Sequence, residues 1–297
     1  MMKKLSTLIL LVVLAASSCT LLSSDSNRDP ENTVREPQFP ELSAFPVFVD
    51  GAEIVAAPQR IISLSPALTE LVYEFAEHSR LVGRSSFCDF PASVTNVTAF
   101  RTGSGFDAQE IAALTPDLLL LSAPISDKDR ETLRREGVAT VVLPAPRSLE
   151  ELGALYELVG VILYGSFTGR EEGAAAFELL RKGISDAHSA DLGEFVYVTE
   201  NLALATGDTL ESSLLTVFGN NLAQGGIRYV FDVQLLLENQ PETVLVNGNI
   251  TIEQLKAHSV YSQLRAVQQG RVIVINNERF ERPSARLLEV VAQVRNS

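Results

Sequence analysis

The residues best suited to chemistry are gathered in four loops. Arg84-Ser-Ser-Phe87-Cys88-Asp89-Phe90-Pro91, Phe100-Arg101-Thr102-Gly103, Arg228-Tyr229-Val230-Phe231 and Arg279-Phe280-Glu281-Arg282-Pro283 each set aromatic rings beside arginine, in a chain whose formal charge is −13. A ring offers a flat apolar face, and a guanidinium a planar fork of donors. Together they predict a cleft for a large, flat-faced, partly anionic ligand. Covalent and metal chemistry find less support. His78, His188 and His258 are scattered, with no His, Cys or carboxylate at ligand spacing, so no metal is expected. The patterns G-x-S-x-G, H-E-x-x-H and the P-loop are absent from the sequence. Gly103-Ser-Gly105-Phe-Asp-Ala108 fits the loose dinucleotide pattern, yet the next apolar run ends at Ser122 with no acid to hold a ribose. Cys88 has no histidine near it and reads as a structural or pocket-wall thiol. No cofactor is expected.

Those loops need strands and helices to aim them. Apolar runs at Ile61–Leu64, Leu81–Ser85, Leu118–Ser122 and Ala139–Pro144 read as buried strands, with helices between them. Ser65-Pro66 opens a helix through Phe75. Asp107 and Glu110 open one ending near Leu114, Asp127–Glu136 forms another, and Ser148 with Glu151 caps one reaching Leu163. The alternation restarts at Phe195–Thr199 and Leu202–Thr206. A helix to Phe218, stopped by Gly219-Asn220, follows, then a helix at Val233–Glu238, a strand at Thr243–Asn247, a helix at Ile252–His258, a strand at Val272–Asn276 and a last helix from Ser284. Strand and helix alternating in this way predict parallel α/β sheets, one in each half. Between the halves, Thr168–Ser189 reads as one continuous helix, capped by Thr168 and Glu171 and roughly 33 Å long at 1.5 Å per residue. Gly173 and Gly183 weaken it. Upstream, Asp50-Gly51 between two β-prone runs signals a hairpin.

One unit occurs twice. Asp107-Ala-Gln109 stands nine residues before Pro116, and Asp232-Val-Gln234 nine before Pro241, each followed by an apolar strand. It reads as one helix–strand unit per lobe.

The N-terminus decides the compartment. MMKKLSTLILLVVLAASSCT has the basic, apolar, small-residue order of an export leader, and its apolar core is too short to span a bilayer. The small residues before Cys19 fit a lipobox, with Ala16 where leucine is usual, so residues 1–19 read as signal peptide and lipobox, with cleavage after Ser18 leaving a lipidated Cys19 as the new N-terminus. Residues 20–45, rich in Ser, Asp, Asn, Pro and Glu, read as a disordered tether. Loss of Lys3 and Lys4 with the leader takes the charge to −15, which disfavours nucleic acid and anionic lipid as partners. With Cys19 lipidated, Cys88 has no disulfide partner.

PQRIISLSPALTELVYEFA, Phe87-Cys88-Asp89-Phe90-Pro91, GFDAQEIAALTPDLLLLS, ATGDTLESSLLTVFGNNLA and QGRVIVINNERFERPSARLLEVV, in this order, resemble the periplasmic cobalamin and iron-siderophore binding proteins of ABC importers. The resemblance runs from about Pro46 to the C-terminus and is nearest to the cobalamin-binding members. It implies an α/β fold of the class III binding-protein type, two Rossmann-like lobes joined by one long backbone helix. The expected division is an N-terminal lobe over 46–165, a linking helix over 166–190 and a C-terminal lobe over 191–297. It further implies a monomer without catalysis, ligand held between the lobes, and delivery to a membrane permease with its ATPase.

The ligand-binding residues so expected are Phe87, Asp89, Phe100, Arg101, Gly103, Ser122, Arg228, Tyr229, Glu278, Arg279, Phe280 and Arg282. Cobalamin receptors often carry tryptophan in the pocket, and this chain has none. The matching positions are Gly103, Ser122, Arg228 and Arg279, and the two arginines point to a more anionic cargo, a ferric chelate or haem. The family docks on its permease through a glutamate on each lobe. The matching positions are Gln109 and Gln234, so Asp107, Glu110 and Asp232 are expected to carry the charge there. Two rivals stand beside this reading: an envelope-surface interaction protein on the same fold, and a two-lobed α/β enzyme, for which no nucleophile–base pair is visible.

Overall fold

The computed structural model describes residues 44–186, 191–276 and 278–297. Asp50 and Gly51, both at positive φ, turn β1 (Val47–Val49) into antiparallel β2 (Ala52–Ile54), the hairpin their sequence predicts. The Asp50 carboxylate accepts the Val142 N–H at 3.0 Å, which ties the hairpin to the body of the lobe.

The first lobe then alternates: β3 (Ile61–Ser63), α1 (Pro66–Glu74), β4 (Leu81–Ser85), β5 (Thr98–Phe100), α2 (Ala108–Ala112), β6 (Leu118–Leu121), α3 (Asp127–Arg135) and β7 (Ala139–Val142). Its five strands are parallel in the order β5-β4-β3-β6-β7. All of β3 and β6 is buried, as expected where helices cover both faces of a parallel sheet. Pro66 starts α1 where a missing N–H costs nothing, and Asp107 caps α2 by accepting from the Gln109 and Glu110 N–H groups.

Two helices lead to the second lobe, α4 (Leu149–Tyr164) and α5 (Thr168–Asp186). They touch through glycine: a Cβ on Gly173 would lie 2.5 Å from the Glu157 Cα of α4, while one on Gly183 would lie 2.8 Å from a methyl of Leu288 in the last helix of the chain. The glycines that weaken α5 as a helix are therefore its contact points. The first turn of α5 reaches back to Phe167, whose carbonyl accepts the Glu171 N–H. Thr168 is thus inside the helix rather than its cap. The nineteen residues of α5 span about 28 Å, and positions 187–189 of the expected helix lie outside the described residues.

The second lobe carries β8 (Gly193–Val198), α6 (Leu210–Leu215), β9 (Gly219–Asn221), α7 (Val233–Asn239), β10 (Thr243–Asn247), α8 (Ile252–Ala257), α9 (Arg265–Gln268), β11 (Val272–Ile275), α10 (Glu278–Glu281) and α11 (Leu287–Arg295). Its parallel strands run β11-β10-β8-β9. Asp232 caps α7 as Asp107 caps α2, and β10 follows as β6 does, so the repeated unit has the same structure in both lobes.

Three readings are corrected. Leu202–Thr206 is not a strand: Leu202 turns back at φ 58, and only Leu204 bridges to Val198. The sheet edge beside β8 belongs to Gly219–Asn221, which reads as a helix stop in sequence. The last helix starts at Leu287 rather than Ser284, because residues 284–286 are bonded to α1.

Candidate ligand cleft

The strand order of the first sheet reverses between β3 and β6, and ligands in open α/β sheets lie beyond the carboxyl ends of strands at such a point. A cavity of about 800 Å³ opens there, walled by Leu64, Phe87, Phe106, Leu121 and Ser122, with Gly103 at its side. Glu281 and Arg282 of the C-terminal segment close it. A second cavity, of about 580 Å³, faces the second lobe and is walled by Arg147, Asp208, Glu211, Arg228, Tyr229 and Phe280. Glu281 lies on both, so the two cavities adjoin there. A third cavity, of about 630 Å³, lies between the β1–β2 hairpin and the starts of β6 and β7, at the opposite ends of the strands.

Each wall has a local cause. The Arg84 guanidinium donates to the carbonyls of Ser85 and Cys88 at 3.1 and 2.9 Å, while the Phe87 N–H donates to the Ser85 hydroxyl. The loop after β4 is thereby folded tight, and the Phe87 ring is left 64% exposed on the cavity. Cys88 is buried beneath it, its Sγ 3.2 Å from the Thr69 hydroxyl, and burial pushes its thiol pKa up. Across the cleft, Ile227 and Val230 exchange two backbone hydrogen bonds, and Arg228 and Tyr229 between them sit at φ 50 and 65. This is a two-residue turn of type I′, a conformation that costs non-glycine residues energy. Asp208 and Thr206 hold it: the carboxylate accepts the Arg228 N–H at 3.0 Å, and the hydroxyl accepts the Tyr229 N–H at 3.0 Å.

The electrostatics follow from those contacts. The Thr206 hydroxyl and the Arg228 N–H hold the Asp208 carboxyl below the usual range. Burial pushes the Glu211 carboxyl up, against hydrogen bonds that include one from Tyr229. Burial and the Glu211 charge push the Tyr229 phenol up to about 12. Three arginines near the cleft are already matched. Arg279 holds Glu289 at 2.6 Å and Glu278 at 3.4 Å. Arg282 pairs with Asp89 of the first lobe. Arg286 pairs with Glu70 at 2.8 Å and lies over the Phe90 ring, 4.0 Å from its centroid.

Of the residues singled out in sequence, Phe87, Gly103, Ser122 and Arg282 line the first cavity, and Arg228, Tyr229 and Phe280 the second. Phe280 is mostly buried, packed edge-on against Tyr197. Phe100 is a correction: at 3% exposure it is a core ring of the first lobe, because it ends β5 and turns inward against Gly83 and Ile62. Arg101 is exposed beside Gly105 and lines neither cavity, and Glu278 and Arg279 bond to each other and to Glu289 outside both walls. Asp89 is the partner of Arg282 rather than a wall. Leu64, Phe106, Asp208, Glu211 and Glu281 were missed. Leu64, Phe106 and Asp208 share a signal of position, directly after a strand or in the loop it feeds, whereas Glu211 and Glu281 stand in short helices that such loops lead into. Asp107, Gln109, Glu110, Asp232 and Gln234 are all exposed at the two equivalent helix starts. Cys19 lies outside the described residues. Among the described residues, no helix is long and apolar enough to cross a membrane, and no group of three or more His, Cys, Asp or Glu side chains could hold a metal.

No protein-family profile matches the chain. The vitamin B12-binding protein of Pectobacterium carotovorum is 25% identical over 249 residues, covering 80% of this chain and 88% of that one. The vitamin B12-binding protein of Photorhabdus laumondii is 24% identical over 253 residues, covering 81% and 88%. Among solved structures, the periplasmic haem-binding protein HutB of Vibrio cholerae superposes with a TM-score of 0.67 at 19% identity, over 80% of this chain and 98% of that one. The periplasmic vitamin B12-binding protein BtuF of the same organism gives 0.59 at 21% identity, over 80% and 96%. By name these relatives bind vitamin B12 or haem. In sequence the chain is similar to vitamin B12-binding proteins, and its two-lobed α/β fold is that of periplasmic haem- and vitamin B12-binding proteins.

Proposed function

We propose that the chain is the substrate-binding lipoprotein of an ABC importer, and that it captures a corrinoid of the cobalamin type between its lobes. One observation carries the choice of ligand. Arg279, Arg282 and Arg286 each hold a carboxylate of the protein itself, so they are not available to carboxylates of a ligand. The surfaces left on the cleft are apolar on one side (Leu64, Phe87, Phe106 and Leu121) and rich in acceptors on the other (Asp208 and Glu211). Such a pair of walls suits a broad ring edged with neutral amides, whose N–H groups donate to acceptors. The sequence relatives named for vitamin B12 support the same reading. The arginine count in sequence favoured an anionic cargo. The pairing of those arginines removes most of that argument. Arg228 alone favours the second reading, a haem or ferric chelate, because it is exposed on the cleft and engaged only through its backbone.

In this proposal Cys19 carries the lipid and residues 20–45 form the tether, which meets the body of the protein where the Ala44 carbonyl accepts the Ser166 N–H. The protein works as a monomer, and the exposed acids at the starts of α2 and α7 meet the permease, whose ATPase is a separate chain. The deciding experiment is calorimetric titration of the purified protein with cyanocobalamin, haemin and two ferric siderophores. Cyanocobalamin is expected to bind tightest. Preference for haemin or a siderophore overturns the corrinoid reading and returns the weight to Arg228.

A further inference from the structure

Two carboxylates on α1, Glu70 buried and Glu74 at the surface, do nothing for either cavity. Glu70 and Glu74 lie one turn apart on α1 of the first lobe. Glu70 is 3% exposed, and neither residue lines the cleft. Both face a short stretch of chain that arrives from the other lobe. After β11 and α10 the backbone leaves the second sheet and crosses to α1. It then turns back as α11, which packs on α5 and β11.

At the crossing, residues 284, 285 and 286 each donate a hydrogen bond into α1, and Arg286 also reaches Glu289 of α11 at 3.3 Å. The Ser284 hydroxyl, fully buried, donates to Glu70 Oε2 at 2.6 Å. The Arg286 guanidinium donates to Glu70 Oε1 at 2.8 Å. The Ala285 N–H donates to Glu74 Oε1 at 2.7 Å, and the second oxygen of Glu74 accepts the Tyr156 hydroxyl of α4 at 2.6 Å. Just upstream, Arg282 pairs with Asp89, and Arg286 covers the Phe90 ring, so the loop after β4 is drawn into the same contact.

Taking the Glu70 carboxylate and the Arg286 guanidinium largely out of water is expensive, and well-packed apolar residues would often hold the site at less cost. What charge and hydrogen bonds add is register, because only one placement of residues 284–286 satisfies all three of their bonds to Glu70 and Glu74. We propose that Glu70 and Glu74 are positioning residues: they clasp the C-terminal crossover, fix the spacing of the two lobes, and so set the Glu281–Arg282 wall where the two cavities adjoin. The effect on ligand rests on the cleft being the binding site. The effect on the lobes does not. The clasp is a second tie between the lobes, beside the α4–α5 connection, and it lies next to the ligand space.

The test uses the full mature chain with Glu70→Ala, Glu74→Ala and the double variant. Hydrogen exchange without ligand reads the clasp directly. The amides of residues 285–287 are expected to exchange at least about tenfold faster in the double variant than in wild type. Small-angle scattering is expected to show a larger maximum dimension for the same variant. Affinity for cyanocobalamin, used as the probe, is expected to fall about tenfold if the clasped arrangement drops to a tenth of the population. A Glu70→Gln variant, which keeps an acceptor for Ser284 but no charge for Arg286, should fall between. Should the double variant not fold, Ser284→Ala removes one donor alone and is expected to speed exchange at 285–287 several-fold. Wild-type exchange in that variant, or wild-type exchange and scattering in a folded double variant, overturns the clasp. If wild-type protein ignores cyanocobalamin while exchange and scattering change as stated, the clasp stands and the corrinoid reading falls.

Discussion

Replacing Arg228 by glycine should make the protein more stable. Arg228 occupies φ 50 in a turn held by its own N–H donating to Asp208 and by the two bonds between Ile227 and Val230, so glycine keeps all of them. A non-glycine residue in the left-handed region costs about 1–2 kcal/mol. Glycine gives back roughly 0.5–1 kcal/mol through the greater freedom of the unfolded chain. The net gain is about 1 kcal/mol or slightly less, worth a rise in Tm of about 2–4 °C for a domain of this size. Tyr229, at φ 65, provides the control. Its ring walls the second cavity beside Glu211, where burial and the Glu211 charge raise the phenol pKa, so Tyr229→Gly removes side-chain contacts that Arg228→Gly does not and should lower Tm despite the same backbone relief. Differential scanning calorimetry of both variants decides it. A Tm that falls in Arg228→Gly shows that the guanidinium packs usefully in the unliganded protein, and the account of the turn as strained and held by Asp208 and Thr206 is then wrong. If the turn does store this energy, an arginine kept there at a cost in stability is what a ligand contact would require.

Three further outcomes are expected. Burial raises the folded-state pKa of Glu74 above its unfolded value, so its favourable contribution is complete below about pH 4.5 and is lost as pH rises through the folded pKa; Glu74→Gln should therefore match wild type in acid and exceed it near pH 7 in urea unfolding, and the reverse trend would refute the assignment. Gly173→Ala should lower stability by about 1–3 kcal/mol, because its Cβ would meet the α4 backbone at Glu157; a gain of the size helix propensity alone predicts, about 1 kcal/mol, would mean that α4 and α5 are not in close contact. The double variant Asp107→Asn, Asp232→Asn keeps both helix caps and should bind ligand normally, yet stimulate its importer's ATPase less at low salt; undiminished stimulation, with Glu110→Gln added, removes these acids from docking.

Much of the scaffold was legible because its signals are local. Leu118–Leu121 is too apolar to be anything but a doubly covered strand, and Asp107 and Asp232 announce their helices by side-chain caps that need no tertiary context. Gly219–Asn221 failed for the opposite reason. Glycine and asparagine disfavour strands, and the segment pairs as one because Gly219, with no side chain, can approach β8 so closely that a Cβ there would lie 2.5 Å from the Gly193 carbonyl oxygen. The cleft was half legible. Composition marks the loops that reach it, and Phe87, Arg228 and Tyr229 were found that way. Which side chain in a loop faces the ligand depends on partners far away in sequence. Phe100 looks like Phe87 in sequence, but Gly83 and Ile62 give it a place in the core. Arg282 looks like Arg228 but meets Asp89, 193 residues distant, and no spacing rule foretells that pairing.

The entry point of the chain gives the fold a load path. The Ala44 carbonyl accepts the Ser166 N–H at 2.9 Å, in the short turn that joins α4 to α5. Two residues before that turn's serine, the Tyr164 hydroxyl donates to the Phe75 carbonyl at the end of α1 at 2.6 Å. Any pull on the residues upstream of Ala44, from a membrane anchor or from a crowded envelope, is thus taken first by the α4–α5 turn and passed along two helices and α1. Part of it also follows the covalent chain into the β1–β2 hairpin, which Asp50 ties to Val142 at the end of β7. A pull at Ala44 is thus spread over helices and a hairpin, and none of these contact residues walls the two adjoining cavities.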